Sequence, residues 1–401
     1  MKKFSLPEII VFAVAALLPT YLIRFHIGPF PTTVLEIVLV VAIGALAIEQ
    51  ISSLRALAKQ SHEDSNHGDI PMRLLRRLWP PRNDGALLTI GSTLIIIATI
   101  VGIVVAPDKR AALGIAKAFF WEPMALAWLI IATRPDKEKI WRAALSGFAL
   151  SAFVVIIYGL LQYAHPALIP ATWTAERRIT SVFDYPNAAA LYLAPLTALL
   201  LSSPVTIALA FFAVVIIILA KSAGGLVAVA AALFFLGVIK KKTRAATIVA
   251  AIIAILIVLL LPAAAGLRDQ ILLRDWSGRV HQIGWKESFA MLKDHPLFGA
   301  GLDGFKTVVA PYHHAQGVEI FQYPHNLFLA AWSEIGLMGL IGLIMVLVWF
   351  FRVCYAQRAT RHAPIMAAVM LTVLVHGLVD VPYFKNDLAM MFWLFIVLVA
   401  L

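Results

Sequence analysis

Charged and Pro/Gly-rich breaks cut this chain into about twelve apolar stretches, each near the roughly 20 residues a helix needs to cross a bilayer. They lie near 7-23, 32-51, 86-105, 114-133, 143-163, 186-202, 204-220, 223-239, 246-265, 328-351, 363-381 and 387-401. No single soluble core could bury so much apolar side chain: 61% of the 401 residues are hydrophobic, 14% are charged and mean hydropathy is +0.89. The bilayer is left as the solvent, and the expected fold is an all-α integral membrane protein with about 12 transmembrane helices. The connections at Ser202-Ser203-Pro204 and Lys221-Ser222 are short, so those tracts could also be cut differently. The run after Met1-Lys2-Lys3 has no small-residue cleavage site and reads as an anchor. The lone Cys354 can form no intrachain disulfide.

Lys and Arg set the expected orientation. With the N terminus inside, basic residues crowd the cytoplasmic segments: Lys2 and Lys3, Arg55 to Arg82, Arg134 to Arg142, Lys240 to Arg244, and Arg352 to Arg361. The expected organisation is an N-terminal bundle over 1-265 with about 9 spans and a cytoplasmic loop near 52-85, a long periplasmic loop over 266-327, and about 3 further spans over 328-401. The long loop is itself basic, but long loops translocate regardless of charge. Within it, 277-SGRVHQIGWKESFAMLKDHPLFGAGLDGF-305 spaces Val280, Ile283, Trp285, Phe289, Met291 and Leu292 as an amphipathic helix that would lie on the membrane surface or on the bundle mouth.

Several polar residues from separate segments fall on that outer side. They are Arg24; Arg177, Arg178 and Asn187 in 176-ERRITSVFDYPNAAALYL-193; Lys221 and Ser222 in 220-AKSAGGL-226; Arg279; and His325 with Asn326 in 322-QYPHNLFLAAW-332. A single Arg or Lys at a helix end can simply snorkel to the headgroups. Together they suggest an anion site, since guanidinium forks suit phosphate and stay charged at any working pH. His325 is the natural proton acceptor, and Asn326 could cap the helix that follows. Two other readings stay open for His325: a structural histidine, or a metal ligand with His313, His314 and Asp303, whose spacing matches no standard site. No Walker loop, HExxH or CxxC occurs, so nucleotide hydrolysis and structural zinc have no support, and no nucleic-acid partner is expected.

R178-ITSVFDYPN-187, 277-SGR-279 with Trp285, 296-PLFGAGLDGF-305, 324-PHN-326 with 334-EIGLMGLIG-342, and 376-HGLVDVPYF-384 follow in an order that resembles the O-antigen ligase and polymerase superfamily of bacterial envelope glycosyltransferases. The resemblance covers most of the second half. It implies a GT-C-like helical fold in the Gram-negative inner membrane and an active site facing the periplasm. The implied reaction is an inverting, metal-independent transfer of O-antigen from undecaprenyl pyrophosphate to lipid A–core oligosaccharide, without a cofactor. In that scheme His325 is the base, Arg178 and Arg279 bind pyrophosphate with Arg177, Lys221 and Arg24, and Asn187, Asn326 and Ser222 support them. Where the family often has Ser-Arg-Gly this chain has Ser222-Ala223-Gly224, with Lys221 on the other side of the serine.

An O-antigen polymerase and a protein O-oligosaccharyltransferase share these motifs. A lipid flippase or other transporter is the reading of a different class. Transporters tend to carry charges at mid-membrane, and Lys117 and Glu122 in the fourth stretch are a small signal that way, although five residues apart is not an ideal helical pairing.

Overall fold

The computed structural model describes residues 4–28, 30–63 and 85–401, apart from the side chains at 30 and 56–63. Lys2, Lys3 and most of the expected loop at 52-85, with Arg73, Arg76, Arg77 and Arg82, lie outside the described residues. The described residues are mainly helical. Its main helices are α1 (Leu6–Leu17), α2 (Val34–Glu63), α3 (Gly85–Val105), α4 (Lys109–Ile115), α5 (Glu122–Thr133), α6 (Lys137–Ala164), α7 (Pro186–Leu200), α8 (Ile207–Leu219), α9 (Ala223–Ile239), α10 (Arg244–Leu260), α11 (Ala265–Ile271), α12 (Trp276–Asp294), α13 (Leu327–Ala356), α14 (Ala363–His376) and α15 (Asn386–Ala400).

The expected apolar stretches fall mainly on helices, but 246-265 is broken at Leu261, 363-381 leaves its helix after His376, and the helices differ in length. Among the described residues five are long and apolar enough to cross a membrane: Val34–Arg55, Gly85–Val105, Lys109–Thr133, Lys137–Ala164 and Leu327–Ala356. A further candidate is Arg244–Leu260 with Pro262–Asp294, bent by 87° at the break, where Leu261-Pro262 ends one helix. The others, such as Pro186–Leu200 and Asn386–Ala400, are apolar helices of 10–17 residues.

Two local features depart from the expected plain helices. Arg24–Ile27 (β1) and Phe30–Thr33 (β2) form a small antiparallel hairpin with Arg24 opposite Thr33, where Gly28 supplies the positive φ of 59° that the turn requires. Ala116–Trp121 is a π-turn between α4 and α5, closed by the Glu122 N–H on the Lys117 carbonyl. That register brings residues five apart onto one face, and Lys117 Nζ lies 3.8 Å from Glu122 Oε1 and 3.3 Å from Glu36 Oε1. The spacing that looked wrong for an α-helix is right for this turn.

The core is built around α7 and α15, whose side chains are buried almost throughout. Small residues allow close helix crossings: a methyl on Gly342 would lie 2.7 Å from the Gly91 carbonyl oxygen where α13 crosses α3, and one on Gly147 would lie 2.5 Å from the Phe12 carbonyl where α6 crosses α1. By contrast α10 packs against α9 and buries none of its residues. Contacts between Lys139 and Glu8 (3.6 Å), Lys137 and Gln357 (2.9 Å), and His362 and Glu138 (3.1 Å) tie one end of the bundle. The segment 266–327 covers the other end.

Candidate active site

The polar knot Gln322–Asn326 opens α13. Asn326 caps that helix, as its place before an apolar run suggested: Oδ1 accepts from the N–H groups of Phe328 and Leu329, both at 3.0 Å. Its Nδ2 donates to the Leu378 carbonyl at 3.0 Å, and the Leu327 N–H donates to the Gly377 carbonyl at 2.7 Å. The Pro-His-Asn turn is thereby fastened to the turn after α14, which carries Asp380. His325 sits in left-handed backbone (φ 49°), a conformation costing about 1–3 kcal/mol that surrounding contacts must hold. Its Nδ1 is buried without a hydrogen bond, 3.7 Å from Asp380 Oδ1.

The amphipathic helix α12 forms the other side of this histidine. Trp285 Nε1 donates to the His325 carbonyl at 3.3 Å, and the His281 ring lies 5.0 Å from the His325 ring. Burial, with His325 close by, holds the His281 imidazole down at about 4, so at neutral pH it is uncharged. Val280, Met291 and Leu292 are buried as expected, whereas Phe289 is 52% exposed. Arg279 lies two residues before His281, so it leaves the helix on a different side; it is exposed and stacks over Trp276 at 5.5 Å.

Arg178 stands on a separate wall. Its Nε donates to the Ala220 carbonyl at 3.0 Å, one terminal nitrogen donates to Asn187 Oδ1 at 3.1 Å, the other lies 3.8 Å from Glu176 Oε2, and Trp173 stacks at 5.2 Å. The fork is therefore half-buried and fixed, with donors left over. Lys221, also in left-handed backbone (φ 51°), donates to the Glu176 carbonyl at 2.7 Å. Ser222 caps α9 through the Gly225 N–H at 3.4 Å. The structure thus groups Arg178, Asn187, Lys221 and Ser222. Arg177 is exposed beside them, in left-handed backbone.

The two walls meet through Gly224 and His376. A methyl on Gly224 would lie 3.1 Å from the His376 ring, and His376 is buried within electrostatic reach of Asp380. Arg24, exposed on β1, lies elsewhere on the rim, in electrostatic reach of Lys385 and Tyr21.

The segment 296–305 anchors the outer loop. Ala300 N–H donates to the Ser333 carbonyl at 2.6 Å, Leu337 N–H to the Leu297 carbonyl at 3.0 Å, and Leu302 N–H to the Gly102 carbonyl at 3.2 Å. Gly299 (φ 64°) presses on the Trp332 and Ser333 carbonyls, which leaves no room for a Cβ. The fully buried Glu334 accepts from the Asp303 N–H at 2.6 Å, and α13 breaks at Gly336 (φ 66°) to admit the loop. Burial pushes the Asp303 carboxyl up, although Gln322 donates to it. His313 is engaged by Glu287 at 3.0 Å and by the Val318 carbonyl at 2.9 Å. His313, Asp303 and His325 therefore do not converge, and among the described residues no group of three or more His, Cys, Asp or Glu is arranged to hold a metal.

Sequence reasoning gave no role to Asp380, His281 or Lys385. Asp380 stands in a quoted motif, and the available signal was a carboxylate four residues after His376 in an otherwise apolar tract.

The family model described as O-antigen ligase matches residues 208–344, a stretch that includes α9, α12, the 296–305 anchor and the Pro324–His325–Asn326 turn. No curated protein gave a significant match. Residues 208–344, with Arg279 and His325 among them, belong to the O-antigen ligase superfamily.

Proposed function

We propose that the protein is an O-antigen ligase of the Gram-negative inner membrane, transferring O-antigen from undecaprenyl pyrophosphate to lipid A–core oligosaccharide. The observation that carries this reading is His325, inside the family-matched segment, with its Nδ1 beside the Asp380 carboxylate and the arginine-bearing loop of Arg178 on the adjoining wall. In this scheme the other imidazole nitrogen, Nε2, takes the proton from the acceptor hydroxyl as that oxygen attacks the anomeric carbon from the side opposite the diphosphate. The sugar–phosphate bond breaks, and its electron pair leaves with the diphosphate. Arg178 and Arg279, supported by Arg177, Lys221 and Arg24, neutralise the charge that grows there, so no divalent ion or cofactor is required. Asp380 stabilises the imidazolium. Asn187, Asn326 and Ser222 hold the loops that carry these groups.

The same proposal takes the apolar helices as about 12 spans of a GT-C-like bundle. The first region would be 1-265, the loop 266–327 would face the periplasm, and 328–401 would close the bundle.

The test uses purified protein with an undecaprenyl-pyrophosphate-linked glycan and lipid A–core in the presence of EDTA. Glycan should appear on lipid A–core, and His325→Ala and Arg279→Ala should abolish it in folded protein. Lengthening of donor chains, transfer to a protein acceptor, or vesicle crossing without covalent change would replace the ligase with a polymerase, a protein O-oligosaccharyltransferase or a flippase.

A further inference from the structure

Lys385 is the one charged residue between the Asp380 turn and the start of α15. Its ammonium lies over three aromatic rings from two different segments: Tyr21 after α1 at 5.0 Å, Phe183 at 5.0 Å and Tyr185 at 5.2 Å, the last two in the Arg178–Asn187 loop. These faces fix the head group and favour its charge. They accept no conventional hydrogen bond, and among the described residues the ammonium makes no hydrogen bond or ion pair.

Carboxylates surround the head group without pairing with it, so its donors stay free. Asp387, Asp184 and Asp380 act on it electrostatically, and Arg24 acts against it, yet no carboxylate comes within the 4.0 Å of an ion pair. Asp380 is engaged with His325, Asp184 is exposed, and Asp387 lies on α15 beyond contact distance. Lys385 is half-buried at the edge of the site, and its three N–H groups are left for an acceptor that enters the site. The acceptor that would satisfy it in this location is an anionic oxygen. Its neighbours are the loop that starts at Arg178 and the carboxylate that faces His325, so that oxygen would belong to the group being transferred from.

We propose that Lys385 is a further phosphate-binding residue of this site, its ammonium taking an oxygen of an isoprenyl diphosphate. This inference rests on the glycosyl-transfer reading and extends it to a cation that the family-matched segment does not include.

The experiment measures binding of undecaprenyl diphosphate and of undecaprenol to the full-length protein in nanodiscs by native mass spectrometry, without an acceptor. Wild type should prefer the diphosphate. Lys385→Met should weaken diphosphate binding by about tenfold or more and leave undecaprenol binding unchanged, as expected for loss of one charge-assisted hydrogen bond. Lys385→Arg should restore most of the preference, which a purely structural role would not predict. If the methionine variant is not monodisperse, Lys385→Gln carries the same comparison. Unchanged diphosphate affinity in a folded Met or Gln variant overturns the role of Lys385 alone. A wild type that binds the alcohol as tightly as the diphosphate overturns the diphosphate reading of the whole site as well.

Discussion

Replacing Asp380 by Asn keeps the shape of the turn but removes the charge that faces His325. The two groups are 3.7 Å apart and Asp380 is buried, so the pair is shielded from bulk water on one side. At an effective dielectric of about 20, unit charges at that separation attract by about 4 kcal/mol. The attraction operates only while the imidazole is protonated, the state that the proposed reaction gives it as it takes the acceptor's proton. Its loss therefore falls on the transition state and the intermediate charge, and not on substrate binding. Since about 1.4 kcal/mol corresponds to a factor of ten, kcat should fall by about three orders of magnitude with little change in the donor KM. The assay is the initial rate of glycan transfer at varied donor concentration, with a melting curve to show that the variant is folded. A folded Asp380→Asn protein within about fivefold of the wild-type kcat would refute the assignment of Asp380 as the partner of the base.

Three further outcomes follow from the packing. Asn326→Ala removes the α13 cap and the bond to Leu378, and should lower stability by about 1–2 kcal/mol, read as a lower melting temperature in detergent; an unchanged midpoint would refute it. Gly336→Ala places a methyl 2.5 Å from the Leu297 carbonyl in backbone with φ 66°, and should sharply reduce the monodisperse fraction on size exclusion. The folded protein refuses a proton at His281 until about pH 4, whereas the unfolded chain takes one near 6.5; stability therefore falls as pH drops through that window. His281→Gln should flatten the fall, and an equal loss of melting temperature between pH 7 and 4.5 in both proteins would count against the shift.

The apolar segments were legible because a membrane helix is a composition signal, read without knowing any neighbour. Asn326 as a cap was legible for the same local reason. The hairpin at Arg24–Thr33 was hidden because a few extended residues between two apolar runs look like a connection. The π-turn was hidden because Lys117 and Glu122 are mismatched in the usual helical register, and only its one extra residue aligns them. Arg178 and Asn187 could be nominated from one stretch, but the Ala220 carbonyl that fixes the guanidinium comes from another segment. Asp380 and Lys385 illustrate the limit most clearly. A carboxylate near a helix end and a lysine at a helix mouth each read as ordinary interface residues, and their meaning depends on His325 and on three aromatic rings remote in sequence.

The anchoring of 296–305 on α3 and α13 also sets an order of assembly. This loop leaves the ribosome before the helix that receives it, because Ser333, Glu334 and Gly336 follow it in the chain. Its Gly299 and Ala300 backbone can be seated only after α13 has been inserted, and the His325 turn is fastened only after Gly377 and Leu378 have followed. Long-range contacts of this kind form late because the intervening chain must first be ordered. The nascent protein would therefore carry its early helices in the membrane for some time with the His325 wall unbuilt, and the site would be complete only when the final helices arrive.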